Sequence, residues 1–328
     1  MAEYRFPLFL GGMVLAIVGG YAARRRGLLN PDWARGIMSA TIVGCDAPIA
    51  CLAIWHLDIY ADVWKVPVAG GLVGIATCLA GLAVARWRRM PPADAAVFGL
   101  QAGMGNVGYT LGGFLCFALW GLQGLALEQI FCMMAPFFAF LFCFPIGRQY
   151  GEAASGARKS IPPLTYALRT LWRTLTDLRS LPLYTAALGL ALDLAGAAPP
   201  AAIKQSHVID ILMIVGILLQ FGSVGMTVYA GRIPVFWKRA VGSGLLKFLL
   251  SPALMLGLAL AMGITGQPLY VCVLLAAMPT ALYSVLIASL FGLNRDLANT
   301  TFILTHAVCL AAVAVAAALW YAGVFENV

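Results

Sequence analysis

The sequence predicts an all-α polytopic membrane protein with ten transmembrane helices arranged as two inverted five-helix repeats. Three observations carry that expectation. Hydrophobic residues make up 62% of the chain and charged residues 10%, against roughly 45–50% and about 25% in soluble domains. The apolar residues gather in runs close to the roughly 20 that a spanning helix needs. Lys and Arg alternate between the connections that join those runs.

Ten runs are read as spans: 6–23, 36–56, 66–85, 95–119, 125–146, 182–198, 208–230, 242–262, 268–290 and 298–320. Barrel strands need only about 9–11 alternating residues, so these lengths exclude a barrel. Arg24, Arg25 and Arg26 follow the first apolar run and do not precede it, so that run is expected to stay as a span and not to be cleaved as a signal peptide. Eighteen of the 21 Lys and Arg residues fall in odd-numbered connections, with Lys247 counted at the inner end of its span, where it would snorkel. Only Arg5, Lys65 and Lys204 fall on the other face. By the positive-inside rule the odd connections are cytoplasmic and both termini face outward. A multi-pass cell membrane protein is expected, of the bacterial inner membrane type.

The net charge of +8 follows from those connections. Without a nucleic-acid motif it predicts no nucleic-acid partner. Cys45, Cys51, Cys78, Cys116, Cys132, Cys143, Cys272 and Cys309 all lie in apolar runs without a CxxC pair, and are read as small buried hydrophobes. His56, His207 and His306 lack zinc-ligand spacing, and neither a Walker loop nor a Gly-x-Ser-x-Gly elbow occurs. No metal, no cofactor and no enzyme activity are expected.

The longest connection, 147–181, divides the chain into a first repeat (1–146) and a second (182–328). Leu164, Leu168, Leu171, Leu175 and Leu178 recur in it at helical spacing, which predicts an amphipathic linker helix on the inner membrane surface. Five spans per half means that the second half enters the membrane from the opposite side, as in many secondary transporters.

Both halves interrupt their fourth helix. The first does so over Gly103-Met104-Gly105-Asn106-Val107-Gly108-Tyr109-Thr110-Leu111-Gly112-Gly113, and the second at Met278-Pro279-Thr280, with Ser284 one turn on. Each helical glycine costs about 1 kcal/mol relative to alanine, and proline removes an amide donor. Broken backbone at membrane depth persists where protein or a wet cavity takes over its hydrogen bonding. Glycines in membrane helices also serve close packing, and both readings stand for 103–113. The matching break at Pro279 favours a transport site containing Gly108, Gly112, Gly113, Pro279, Thr280 and Ser284.

Asp46, in Gly44-Cys45-Asp46-Ala47-Pro48, is the one acidic residue placed well inside a span. A charge there costs about 2.5–3.5 kcal/mol on insertion scales. It is read either as a proton- or cation-coupling group or as a carboxyl satisfied by backbone freed near Pro48. His306 is a second coupling candidate, with packing as the alternative. Gln101 and Gln220 either line a path or join helices. With no Arg or Lys assigned to mid-membrane, half-helix N-termini are the expected donors to an anionic substrate.

The chain resembles the auxin efflux carrier family. The resemblance rests on Gly27-Leu28-Leu29, Pro48, Asn106-x-Gly108-Tyr109, Leu275-Ala276-Ala277-Met278-Pro279, Leu290-Phe291-Gly292, Asp296-Leu297-Ala298, Thr300-Thr301 and Thr305, in that order. It implies ten helices in two inverted repeats, with broken helices 4 and 9 crossing beside the substrate and an elevator-like movement. It also implies that Asn106 is a polar site residue. Where the family usually has proline seven positions after this Asn, the chain has Gly113, preceded by Gly112.

The expected function is a secondary transporter of small organic anions or weak acids by alternating access, with proton or sodium coupling. Substrate and lipid are the expected partners, and a homodimer is allowed. The alternatives are a sodium-coupled symporter of the bile acid type and, from other classes, a non-transporting receptor or an intramembrane enzyme using Asp46 and His306.

Overall fold

The computed structural model describes residues 2–57, 62–109, 111–156, 163–199, 207–227 and 231–321. Lys204, Thr110, residues 157–162 within the linker and the C-terminal end at 322–328 lie outside the described residues, as does the orientation expected for that end. Among the described residues every regular element is helical, and the one β contact is an isolated bridge.

In chain order the helices are α1 (Ala2–Arg25), α2 (Trp33–Trp55), α3 (Lys65–Trp87), α4 (Pro92–Gly103), α5 (Gly112–Cys132) and α6 (135–155). The amphipathic linker helix is α7 (Pro163–Leu175). Then follow α8 (Leu181–Leu194), α9 (Val208–Thr227), α10 (Ile233–Ala261), α11 (Gly266–Ala276), α12 (Leu282–Leu290) and α13 (Arg295–Tyr321).

Among the described residues six stretches are long and apolar enough to cross a bilayer: α2, α3, Gly112–Ser155, α9, α10 and Arg295–Ala316. The expected fourth and ninth spans are absent from this set because each is broken into short helices, α4 before its gap and α11 and α12 on either side of theirs. Between the expected fourth span, ending at 119, and the expected fifth, starting at 125, the helix breaks at Gly121, where φ is 62° and ψ is −145°. Only glycine adopts that backbone without strain. The expected sixth span, 182–198, is the 14-residue α8.

Packing follows the small residues. A Cβ at Gly20 would stand 2.1 Å from the Gly222 carbonyl oxygen, and one at Gly225 would stand 2.2 Å from that of Ile17. Glycine therefore lets α1 and α9 press backbone to backbone. α8 lies in the same way on the second half of α2, with Gly189 against the Cys51 carbonyl. One core joins α2, α5, α9 and α11, and a second joins α4, α6, α12 and the start of α13. Leu15, Leu249 and Leu260 point outward and are exposed, as side chains facing lipid tails would be.

α7 rests on α6. The Arg148 guanidinium sits 4.4 Å from the centre of the Tyr166 ring, and Tyr166 meets Phe291 edge-on. At one end of the bundle Asp94 ties α4 to α10 and to the turn before α13, accepting from Arg239 and from Asn294 Nδ2.

Candidate functional site

α4 stops at Gly103 because Met104 is extended, with φ −88° and ψ 112°. α11 stops at Ala276, and Ala281 is extended at φ −68° and ψ 141° before α12 begins. The two interruptions meet. Asn106 N–H donates to the Pro279 carbonyl at 2.7 Å, and Ala281 N–H donates to the Met104 carbonyl at 3.0 Å. Gly105 thereby faces Thr280 as an antiparallel bridge. Each break supplies the partners that the other lost on leaving the helix, which is what buried backbone demands. Within the first break Gly112 N–H returns to the Asn106 carbonyl at 3.2 Å, and Gly113 N–H to that of Gly108 at 2.9 Å.

Side chains from α13 close over this crossing. Asn106 Nδ2 lies 3.1 Å from His306 Nε2, and His306 Nδ1 lies 2.8 Å from the Phe302 carbonyl. The arrangement fits a proton on Nδ1, donated to the carbonyl, and a bare Nε2 that accepts from Asn106. Thr280 Oγ1 is 3.0 Å from Thr305 Oγ1. Ser284 Oγ donates to the Ala281 carbonyl at 2.7 Å and accepts from Gln101 Nε2 at 3.3 Å. Gln101 also donates to the Ala298 carbonyl at 2.7 Å, so it joins α4, α12 and α13.

The glycines of the first break separate by role. A Cβ at Gly112 would stand 2.1 Å from the Val107 carbonyl oxygen, and one at Gly113 would stand 2.8 Å from Glu128 Oε2. At Gly108 a Cβ would meet nothing within 4 Å. Gly112 is thus needed for close backbone approach, and Gly113 leaves room for a carboxyl.

Asp46 is buried and accepts from Gln220 Nε2 at 2.9 Å on each oxygen. The freed backbone near Pro48 is not its partner. It sits at the end of a π-helical turn, Ile42–Asp46, a distortion frequent at functional positions. His306 and Asp46 hydrogen-bond to different groups and not to each other.

Besides Asp94, described above, two buried charges are not singled out in the sequence. Glu128 is fully buried, accepting from Gln129 Nε2 and, at 3.0 Å, from Cys132 Sγ, while Tyr109 of the break donates to Gln129. Cys132 is therefore a polar partner and not only a small hydrophobe. A signal was available, since Glu128 lies within the apolar run 125–132.

Lys247 is the larger correction. The expectation that it snorkels fails, because it is only 2% exposed and its ammonium sits against Gly105 at the crossing. It lies in the π-helical segment Leu246–Leu250.

Lys247 lines a partly open cavity of about 90 Å³ bordered by α3, the first break, the α5–α6 junction, α10 and α11. Gly103, Met104, Gly105 and Val107 form its break-side wall. Asn106, Gly108, Gly112, Gly113, Pro279, Thr280 and Ser284 do not line it. They build the crossing that forms its edge.

Residues 174–317 match the family model Mem_trans, described as a membrane transport protein, which is the domain of the auxin efflux carrier family. The match takes in the second break, Lys247 and His306 and leaves out the first break. A search of the curated proteins finds no match. With six stretches long and apolar enough to cross a bilayer among the described residues, the match indicates a membrane transport domain in a multi-pass membrane protein.

Proposed function

We propose, from the premise of that transport domain, that the chain is a secondary transporter of small organic anions or weak acids working by alternating access. The observation that carries the reading is the mutual hydrogen bonding of two broken helices beside a small cavity. Backbone interrupted at membrane depth in two corresponding helices is the arrangement secondary transporters use at their binding sites.

Two repeats, 1–146 and 182–328, joined by the 147–181 linker, account for the packing. α1 packs on α9 and α8 packs on α2. With α1 and α8 as first spans, and α2 and α9 as second spans, a two-fold exchange of halves turns one pair into the other. This crosswise pairing supports ten spans in inverted repeats. An elevator-like motion would carry α4, α12 and α13, with the crossing, against the α1–α2–α8–α9 group. Asn106, Thr280 and Ser284 would shape the crossing, and Asp46 and His306 would couple it to protons or a cation. Odd connections would face the cytoplasm.

Flux in proteoliposomes tests this reading. Small radiolabelled carboxylates should accumulate under a pH or sodium gradient, and the gradient required distinguishes proton coupling from a sodium symporter. Asn106→Ala should lower the uptake rate at least tenfold with insertion unchanged. Absence of carboxylate flux under every gradient would remove the proposal.

A further inference from the structure

We infer that Lys247, with Ser251, forms an anion site in the cavity beside the first break, and that its ligand is a small aliphatic carboxylate. The inference rests on the transporter reading above and assigns the counter-charge of that same site.

Among the described residues the buried charges have protein partners with one exception. Asp46 takes both of its bonds from Gln220, Glu128 takes its bonds from Gln129 and Cys132, and Asp94 is met by Arg239 and Asn294. Lys247, equally buried, has no hydrogen bond or ion pair to any described residue, and it borders the cavity. A buried charge is strongly unfavourable without a partner, and an ionisable side chain at membrane depth marks a functional site by default. The missing partner is therefore an anion that comes and goes.

The surroundings define that anion. Lys247 and Ser251 lie four residues apart on α10, both line the cavity, and Ser251 Oγ likewise has no partner among the described residues. Together they offer an ammonium and a hydroxyl to one carboxylate. Val73, Val107, Met255 and Leu275 supply apolar walls for a short carbon skeleton. The volume of about 90 Å³ has room for several waters, and so for a carboxylate of a few heavy atoms. Gly105 is the complement on the backbone side: a Cβ there would stand 2.8 Å from Lys247 Nζ. The first break thus carries a glycine where the ammonium must lie against it, so movement of the break would also move the wall of the site.

The test is equilibrium binding of radiolabelled acetate, pyruvate and malonate to the purified full-length protein. Acetamide and malonamide serve as neutral competitors of the same size. At least one carboxylate should bind the wild type and resist displacement by the amides. Lys247→Met should weaken that binding about tenfold to a hundredfold, as loss of a charge-assisted hydrogen bond does, and Ser251→Ala about threefold to tenfold. Gly105→Ala should weaken binding by less than Lys247→Met, since the lysine tip can shift away, and an unchanged melting temperature of Lys247→Met answers any misfolding of that variant. Affinity in Lys247→Met within twofold of wild type, amides competing as well as carboxylates, or no carboxylate binding by the wild type would each overturn the site. Carboxylate flux that ignores Lys247 overturns the site and leaves the transport reading standing. Lysine-dependent binding without flux keeps the site and removes the transport reading.

Discussion

Asp46 and Lys247 are both buried, both lie on π-helical turns of long apolar helices, and carry opposite charges, yet only one is answered by the protein. Gln220 donates to both oxygens of Asp46, whereas no described residue bonds Lys247. The difference separates a charge used to hold α2 to α9 from a charge held ready for something that is not part of the chain. Membrane depth alone therefore does not identify a ligand site. What identifies it is the absence of an internal partner beside a cavity.

Several substitutions break or sharpen that contrast. The largest effect is expected from Gln220→Leu, which strands Asp46. Leaving a buried charge unpaired costs about 3 kcal/mol or more, so the melting temperature in detergent should fall steeply, and an unchanged melt would show that Gln220 is dispensable to Asp46.

Gly112→Ala should follow, at about 1–3 kcal/mol for forcing a methyl group into packed backbone, while Gly108→Ala should stay within about 0.5 kcal/mol as an open position. Equal melts for the two variants would mean that the first break has no tight turn at Gly112.

A smaller loss, about 1 kcal/mol, is expected for Asp46→Asn, which keeps the shape and loses the charge-assisted acceptor. If Asp46 also couples transport, the same variant changes the pH or cation dependence of flux, and identical dependence would confine Asp46 to the structural role.

Lys247→Met should have the smallest effect on stability, between zero and a slight gain, since it removes an unpartnered charge and restores an apolar side chain. Its cost should fall on carboxylate binding. A steep drop in melting temperature would mean that the protein itself satisfies this lysine.

The interruptions were legible because glycine and proline weaken a helix locally, at 103–113 and at Pro279, although Pro48 and Pro252 lie within α2 and α10 without ending them. The amphipathic α7 was equally local, read from leucine spacing and found at Pro163–Leu175. Lys247 was misread for the opposite reason. Six residues into the run 242–262, a lysine has stem enough to snorkel, and only the π-helical turn at 246–250 and the approach of Gly105 show that it faces inward. Glu128 falls near the start of the expected span 125–146, and only the approach of Gly113 shows that it is carried into the interior.

By itself the sequence determined that this chain is helical, apolar enough for a bilayer, and broken at two places, because hydrophobicity and backbone freedom are properties of short segments. Tertiary structure alone decided that the breaks bond to each other, that Asp46 meets Gln220 across 174 positions, and that Lys247 is left beside a cavity. Which polar group finds a partner depends on residues far apart along the chain, and no local pattern encodes that pairing.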